Sequence, residues 1–192
     1  MTEATPLENQ ELGGRYVIER ELGRGGTSTV YLAHDRVYDR RVAVKVLRRE
    51  LALSVGPDRF LREIRVTARL NHPHIAPVID SGVGDGWCFF VSTYFDGGTL
   101  RQRLERERQL PVDDAINIAR AIAGALDYAH SQRILHCDVK PENILFSNGE
   151  AFLTDFGIAR LFEAGLDTTS TGIVRGTPAV RSSKPAEIHA LS

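Results

Sequence analysis

His136-Cys137-Asp138-Val139-Lys140-Pro141-Glu142-Asn143 and, with its aspartate seventeen residues after Asp138 (155 minus 138), Asp155-Phe156-Gly157 are the stretches on which the reading of this chain turns. Two aspartates, a glutamate, an ammonium and a carboxamide fall within a short span. Alone, Asp-x-x-x-x-Asn or Asp-Phe-Gly is more often a plain turn. Strand-like Ile144 to Phe146 and Phe152 to Thr154 lie between the two motifs.

Working outward, three more pieces lie upstream in order: Gly23-Arg24-Gly25-Gly26-Thr27-Ser28-Thr29-Val30, Val42-Ala43-Val44-Lys45, and Glu63 in a helical stretch. The glycine string does not end in Gly-Lys-Ser/Thr, and it runs into the strand-like Thr29 to Leu32 where a dinucleotide turn would open a helix, so two common phosphate loops are excluded. With no Cβ at Gly23, Gly25 or Gly26, a hairpin here lets backbone N–H groups approach an anion closely. On a strand, Ala43, Lys45 and Leu47 share one face while Val42, Val44 and Val46 share the other. A lone strand lysine is usually just solvated, and a lone helical glutamate usually faces water. Their value here comes from the ordered set.

Tyr16 to Ile18, Thr29 to His34 and Arg41 to Leu47 predict strands of a meander. From Asp58 to Leu70 the apolar residues Phe60, Leu61, Ile64 and Ala68 recur at helical spacing, between Gly56-Pro57 and Asn71-His72-Pro73. Strands resume at Ala76 to Ser81 and Cys88 to Thr93, and Asp96-Gly97-Gly98 reads as an inter-lobe hinge. Ile116, Ala119, Ile122, Ala123, Leu126 and Ala129 make one apolar stripe in a helix over Val112 to Arg133, with Pro111 at its entrance.

The ordered set resembles the protein kinase superfamily, specifically bacterial, eukaryotic-like Ser/Thr protein kinases, from about Tyr16 to Pro178. The resemblance implies an α+β, bilobal fold with a β-rich N-lobe containing one helix and an incomplete helical C-lobe. Residues 1–15 are then a flexible lead-in, 16–95 the N-lobe, 96–178 a partial C-lobe, and 179–192 an atypical, disordered tail. It implies that Asp138 accepts or orients the substrate hydroxyl proton, that Lys140 steadies the γ-phosphate, and that Lys45 reaches the α/β-phosphates while paired with Glu63. It further implies an ATP pocket formed by Leu22, Gly23, Gly25, Gly26, Val30, Ala43, Lys45 and Tyr94, with Asn143 and Asp155 binding Mg²⁺. The Lys-Pro-Glu after Asp138 favours protein over small-molecule substrates. Implied partners are protein Ser/Thr hydroxyls, including self-phosphorylation. A non-catalytic ATP-binding fragment or pseudokinase is the second reading, and it stays open on sequence.

Four departures from the pattern stand out. Ser28 replaces the third glycine of the loop, a small residue that should still let it close over phosphates. Cys137 replaces the arginine that clamps a phosphorylated loop in many relatives, so activity is expected to depend little on phosphates at Thr168, Thr169, Ser170 or Thr171. Ser92 falls at the gatekeeper position and predicts a roomy back pocket. After Gly176-Thr177-Pro178 the chain leaves the family pattern, so the reading is of a C-terminally truncated kinase with the 112–133 stripe partly bare.

Composition excludes other classes. Lys plus Arg (24) balances Asp plus Glu (25), so no large field draws the chain to nucleic acid or an anionic membrane. Only two cysteines occur, too few for a disulfide framework. Met1 to Gly14 lacks the basic-then-apolar form of a signal peptide, and no apolar run approaches a membrane span, so a cytoplasmic protein is expected.

Overall fold

The computed structural model describes residues 7–84 and 87–156. Expectations about Gly157, the hydroxyls from Thr168 to Thr171, Thr177 and the 179–192 tail lie outside the described residues. The chain forms two lobes, as expected. In the first, β1 (Glu11–Leu12), β2 (Tyr16–Arg24), β3 (Ser28–Asp35), β4 (Arg40–Leu47), β5 (Val78–Gly84) and β6 (Trp87–Thr93) make one antiparallel sheet ordered β1-β2-β3-β4-β6-β5.

Both faces of this sheet are covered, which explains why its strands alternate between two apolar sets. Val42, Val44 and Val46 join Tyr16, Ile18, Phe89 and Val91 on one face. Leu47, Cys88 and Phe90 meet helices α1 (Arg49–Val55) and α2 (Pro57–Thr67) on the other, through Ala52, Val55, Phe60 and Ile64. One helix was expected here and two are present. Gly56, at φ 78°, breaks the helical path, and Pro57 opens α2 with the φ its ring already imposes.

The lead-in is also corrected for residues 7–14. Leu7 and Leu12 are buried against Tyr16 and Tyr31, β1 pairs with β2, and Asn9 N–H donates to the Ile18 carbonyl at 2.9 Å. This segment closes the outer face of the sheet and belongs to the folded unit.

The second lobe holds α3 (Leu100–Glu107), α4 (Val112–Ser131), a 3₁₀ turn at Pro141–Asn143, and the hairpin of β7 (Ile144–Ser147) and β8 (Glu150–Leu153). Thr99 caps α3 in a capping box with Gln102. Asn148 and Gly149, both at positive φ, make the two-residue hairpin loop that strand twist favours. Leu100, Ile122, Ala125, Ala129, Ile144, Phe146, Leu153 and Phe156 form the core. The expected bare stripe is present: Ile118, Ala119, Ile122, Ala123 and Leu126 of α4 border an open apolar groove of about 400 Å³. Among the described residues, no helix is long and apolar enough to cross a membrane.

Candidate active site

Each side chain of the cleft is set by a strand or a strand end. β2 and β3 pair from Tyr16 with Asp35 to Arg24 with Thr29, and Gly25 N–H donates to the Ser28 carbonyl at 2.8 Å, which closes the glycine hairpin tightly. β3 then pairs with β4, placing Val30 beside Lys45 and Leu32 beside Ala43. Leu22, Gly23, Val30, Ala43, Lys45 and Tyr94 line one cavity of about 400 Å³ between the lobes. Gly25 and Gly26 do not line it; they form the tip of the hairpin above it.

Two charge clusters face one another across a buried histidine. In the first, Lys140 Nζ lies 2.6 Å from Asp138 Oδ2, and Asn143 Nδ2 donates to the Asp138 carbonyl at 2.8 Å and to its Oδ2 at 3.2 Å. In the second, Lys45 Nζ lies 2.5 Å from Asp155 Oδ2. His136 ties them: its Nδ1 accepts from Asp138 N–H at 3.2 Å and its Nε2 meets the Thr154 carbonyl at 2.7 Å. An acceptor at Nδ1 and a carbonyl at Nε2 select the neutral tautomer protonated at Nε2. Burial pushes this imidazole below its ordinary pKa, against the opposing pull of the Thr154 carbonyl and the two aspartates. The ring, packed edge-on against Phe156 at 4.6 Å, is therefore a neutral spacer between catalytic-loop backbone and the strand leading to Asp155.

Two of the seven non-glycine residues with positive φ among the described residues fall here. Cys137 and Asp155 have φ of 66° and 69°, a region that costs energy for residues with a Cβ and tends to persist where function requires it.

One expected pair is absent. Lys45 meets Asp155, while Glu63, half-buried on α2, has no ion pair among the described residues. The roomy pocket behind Ser92 is also corrected: the space enclosed by Ile64, Thr67, Leu70, Phe90, Ser92 and Phe156 is about 20 Å³, room for a single water. Removing bulk at Ser92 leaves little space because Phe90 and α2 pack in behind it.

The residues 16–180 match the family model described as the protein kinase domain. The chain belongs to the protein kinase family. A probable serine/threonine-protein kinase of Streptomyces coelicolor is 40% identical over 187 residues, covering 94% of this chain and 28% of that protein. Serine/threonine-protein kinase PknL of Mycobacterium tuberculosis is 40% identical over 182 residues, 92% of this chain and 45% of PknL. PrkC of Bacillus subtilis is 36% identical over 170 residues, 88% of this chain and 26% of PrkC. The crystal structure of a kinase-domain mutant of Mycobacterium tuberculosis PknI superposes with a TM-score of 0.70 at 36% identity, covering 82% of this chain and 64% of that one. The chain thus spans less than half the length of these curated relatives. These likenesses fix the fold as a protein kinase fold.

Sequence reasoning missed part of the kinase cleft. Phe95, Thr99, Gln102, Glu142 and Leu145 also line the cavity. Leu145 lies between the buried Ile144 and Phe146 of β7 and so on the opposite face, which strand alternation could have found. Gln102 and Thr99 come from the capping box of α3, a helix that the sequence reading did not pick out.

Proposed function

We propose that this chain is an ATP-dependent serine/threonine protein kinase acting in the cytoplasm, with its own hydroxyls among its substrates. The observation that carries this reading is the convergence of Lys45, Asp155, Asp138, Lys140 and Asn143, drawn from stretches up to 110 positions apart, on two ion-paired clusters joined through His136. Free thiols at Cys88 and Cys137 agree with a reducing compartment.

The residues fit a magnesium ion. Asn143 spends its Nδ2 on Asp138, which leaves its amide oxygen as an acceptor, and Asp155 supplies carboxylate oxygens. Among the described residues no group of three His, Cys, Asp or Glu stands ready as a full cage. Mg²⁺ completes its shell with waters and phosphate oxygens. When bound, Mg²⁺ would neutralise charge between the β- and γ-phosphates.

The chain's own groups account for the rest. Leu22, Val30, Ala43, Tyr94 and Leu145 offer an apolar slot for the adenine, and the hairpin of Gly23, Gly25 and Gly26, with no Cβ in the way, lets a phosphate approach its backbone closely. Lys45, beside Asp155, carries the cation for the α/β-phosphates. Glu63 would take up Lys45 once a nucleotide engages Asp155. Asp138 orients the acceptor hydroxyl and receives its proton as the oxygen attacks the γ-phosphorus. The bond to the β–γ bridging oxygen breaks and ADP leaves. Lys140 moves from Asp138 to the transferring phosphoryl group.

Incubation with radiolabelled Mg-ATP and a Ser/Thr-rich protein such as myelin basic protein tests this. Label should appear in the protein and fall by about 100-fold or more in Asp138→Asn. Binding of Mg-ATP without any Asp138-dependent transfer would establish the non-catalytic reading instead.

A further inference from the structure

The segment joining the lobes carries Gly97-Gly98 and reads from sequence as a hinge, yet in the structure it is tied down. Gly97 N–H donates to the Phe146 carbonyl at 3.0 Å, Phe146 N–H donates to the Gly98 carbonyl at 2.9 Å, and Thr99 forms an antiparallel bridge with Leu145. Next to this ladder the Phe95 ring stacks on Phe152 of β8, centroids 4.5 Å apart. At the far end Thr99 is fixed as the cap of α3.

Space at Gly97 is the telling detail. A Cβ placed there would lie 2.6 Å from the Phe146 carbonyl oxygen and 2.9 Å from its carbonyl carbon and Cβ. These are backbone atoms and a Cβ of β7, and they cannot yield without moving the strand. Glycine is required by contact between two backbones, and not for freedom of φ. Leu145, the neighbour of Phe146, lines the cleft cavity together with Tyr94, Phe95, Gly98 and Thr99.

We infer that Phe95 to Thr99 is mechanically a third strand of the β7–β8 hairpin, that the lobes pivot before it at Thr93–Tyr94, and that Gly97 is a positioning residue setting the separation between the linker and Leu145. The ligand in this inference rests on the kinase reading above; the clamp itself does not. A rigid linker keeps the adenine slot at one height while the glycine hairpin and β4 move over it. Replacing Gly97 pushes the linker off β7 and opens the slot, so nucleotide affinity suffers while the groups at the phosphate end keep their places.

Two measurements on the whole chain test it. Residue-resolved hydrogen exchange on the nucleotide-free protein should protect the Gly97 and Phe146 amides as strongly as the β7–β8 ladder. Calorimetry with Mg-ADP should show Gly97→Ala binding on the order of tenfold more weakly than wild type. Gly84→Ala, where a Cβ meets nothing within 4 Å, should bind as wild type does. The ATP KM should rise in Gly97→Ala with the saturated rate kept, a split that general loss of fold would not produce. Should Gly97→Ala fail to fold, Phe95→Leu removes the ring stack without touching the backbone, and it should speed exchange at Gly97. Exchange at Gly97 and Phe146 as fast as in an unpaired loop, or wild-type Mg-ADP affinity in folded Gly97→Ala, overturns the inference. A wild-type chain that takes up no Mg-ADP counts against the kinase reading, and exchange then decides the clamp alone.

Discussion

Two acid–base pairings, one within the first lobe and one reaching across the cleft, have similar chemistry and opposite design. On the outer side of the sheet, Arg15 holds Asp35 with two hydrogen bonds of 2.7 Å, Val37 N–H adds a third at 3.1 Å, and Arg40 stands 3.7 Å away. Asp35 is fully buried, and the same arginine reaches Asp80, which also accepts from the Tyr16 hydroxyl at 2.6 Å. Every strong acceptor direction is filled by protein. In the cleft, Asp155 has one side-chain partner among the described residues, Lys45, and both border a cavity of about 400 Å³. A saturated carboxylate stabilises the fold and can do nothing else; an under-coordinated one beside open space can exchange its partner for a ligand. Coordination number, more than the presence of an ion pair, separates the structural aspartate from the functional one.

This contrast can be broken by moving charge in each region. The largest effect should come from Lys45→Met, which leaves Asp155 without its partner and the nucleotide without a cation. Phosphate incorporation should drop by roughly 100- to 1,000-fold, while the loss of stability in urea should stay below that of Asp35→Ala, because Asp155, 18% exposed, borders an open cavity from which water can reach the carboxylate left behind. A large loss of stability would show the cleft pair to be structural after all. Next, Asp35→Ala should cost about 3 kcal/mol of unfolding free energy, since it removes the main partner of a half-buried guanidinium and leaves it only the Asp80 carboxylate at 3.3 Å among the described residues. Its affinity for Mg-ATP at a temperature where it remains folded should match wild type. The smallest effect sharpens the comparison through pH. Arg15 hydrogen bonding, with Val37 N–H assisting, holds Asp35 down at about 2, below its ordinary 3.8. A depressed carboxylate contributes its stability above the unfolded pKa, and this is lost as pH falls from about 4 towards 2. Wild type should show a stability drop across that window in urea titrations, and Asp35→Ala should lack this component.

Much of the fold could be read from residues because its signals are local. Val42-Ala43-Val44-Lys45 alternates with period two and became β4 with Lys45 turned to the cleft. The apolar stripe from Ile116 to Ala129 became α4. What escaped depends on distant parts. Leu7 and Leu12 look like isolated apolar residues in a polar lead-in, and only the outer face of the sheet gives them a place to be buried. Gly97-Gly98 looks flexible because sequence cannot show that the Phe146 backbone lies against it. The set of site residues was legible as motifs, but the pairing within it was not. Motif spacing says that Lys45, Glu63 and Asp155 belong together, whereas which carboxylate holds the lysine depends on the placement of α2 relative to β4. The size of the space behind Ser92 depends likewise on how Phe90 and α2 pack, which no single position encodes.

On the proposed function, Asp155 and Asn143 give up their present arrangement to a magnesium–triphosphate unit. Calorimetric titration with ATP, with and without Mg²⁺, on wild type and Asp155→Asn tests it directly. Mg²⁺ is expected to tighten ATP binding at least about tenfold in wild type, roughly 1.4 kcal/mol, and this gain should disappear in Asp155→Asn while the variant stays folded. Equal affinities with and without Mg²⁺ in wild type, or a magnesium gain that survives in Asp155→Asn, would contradict it.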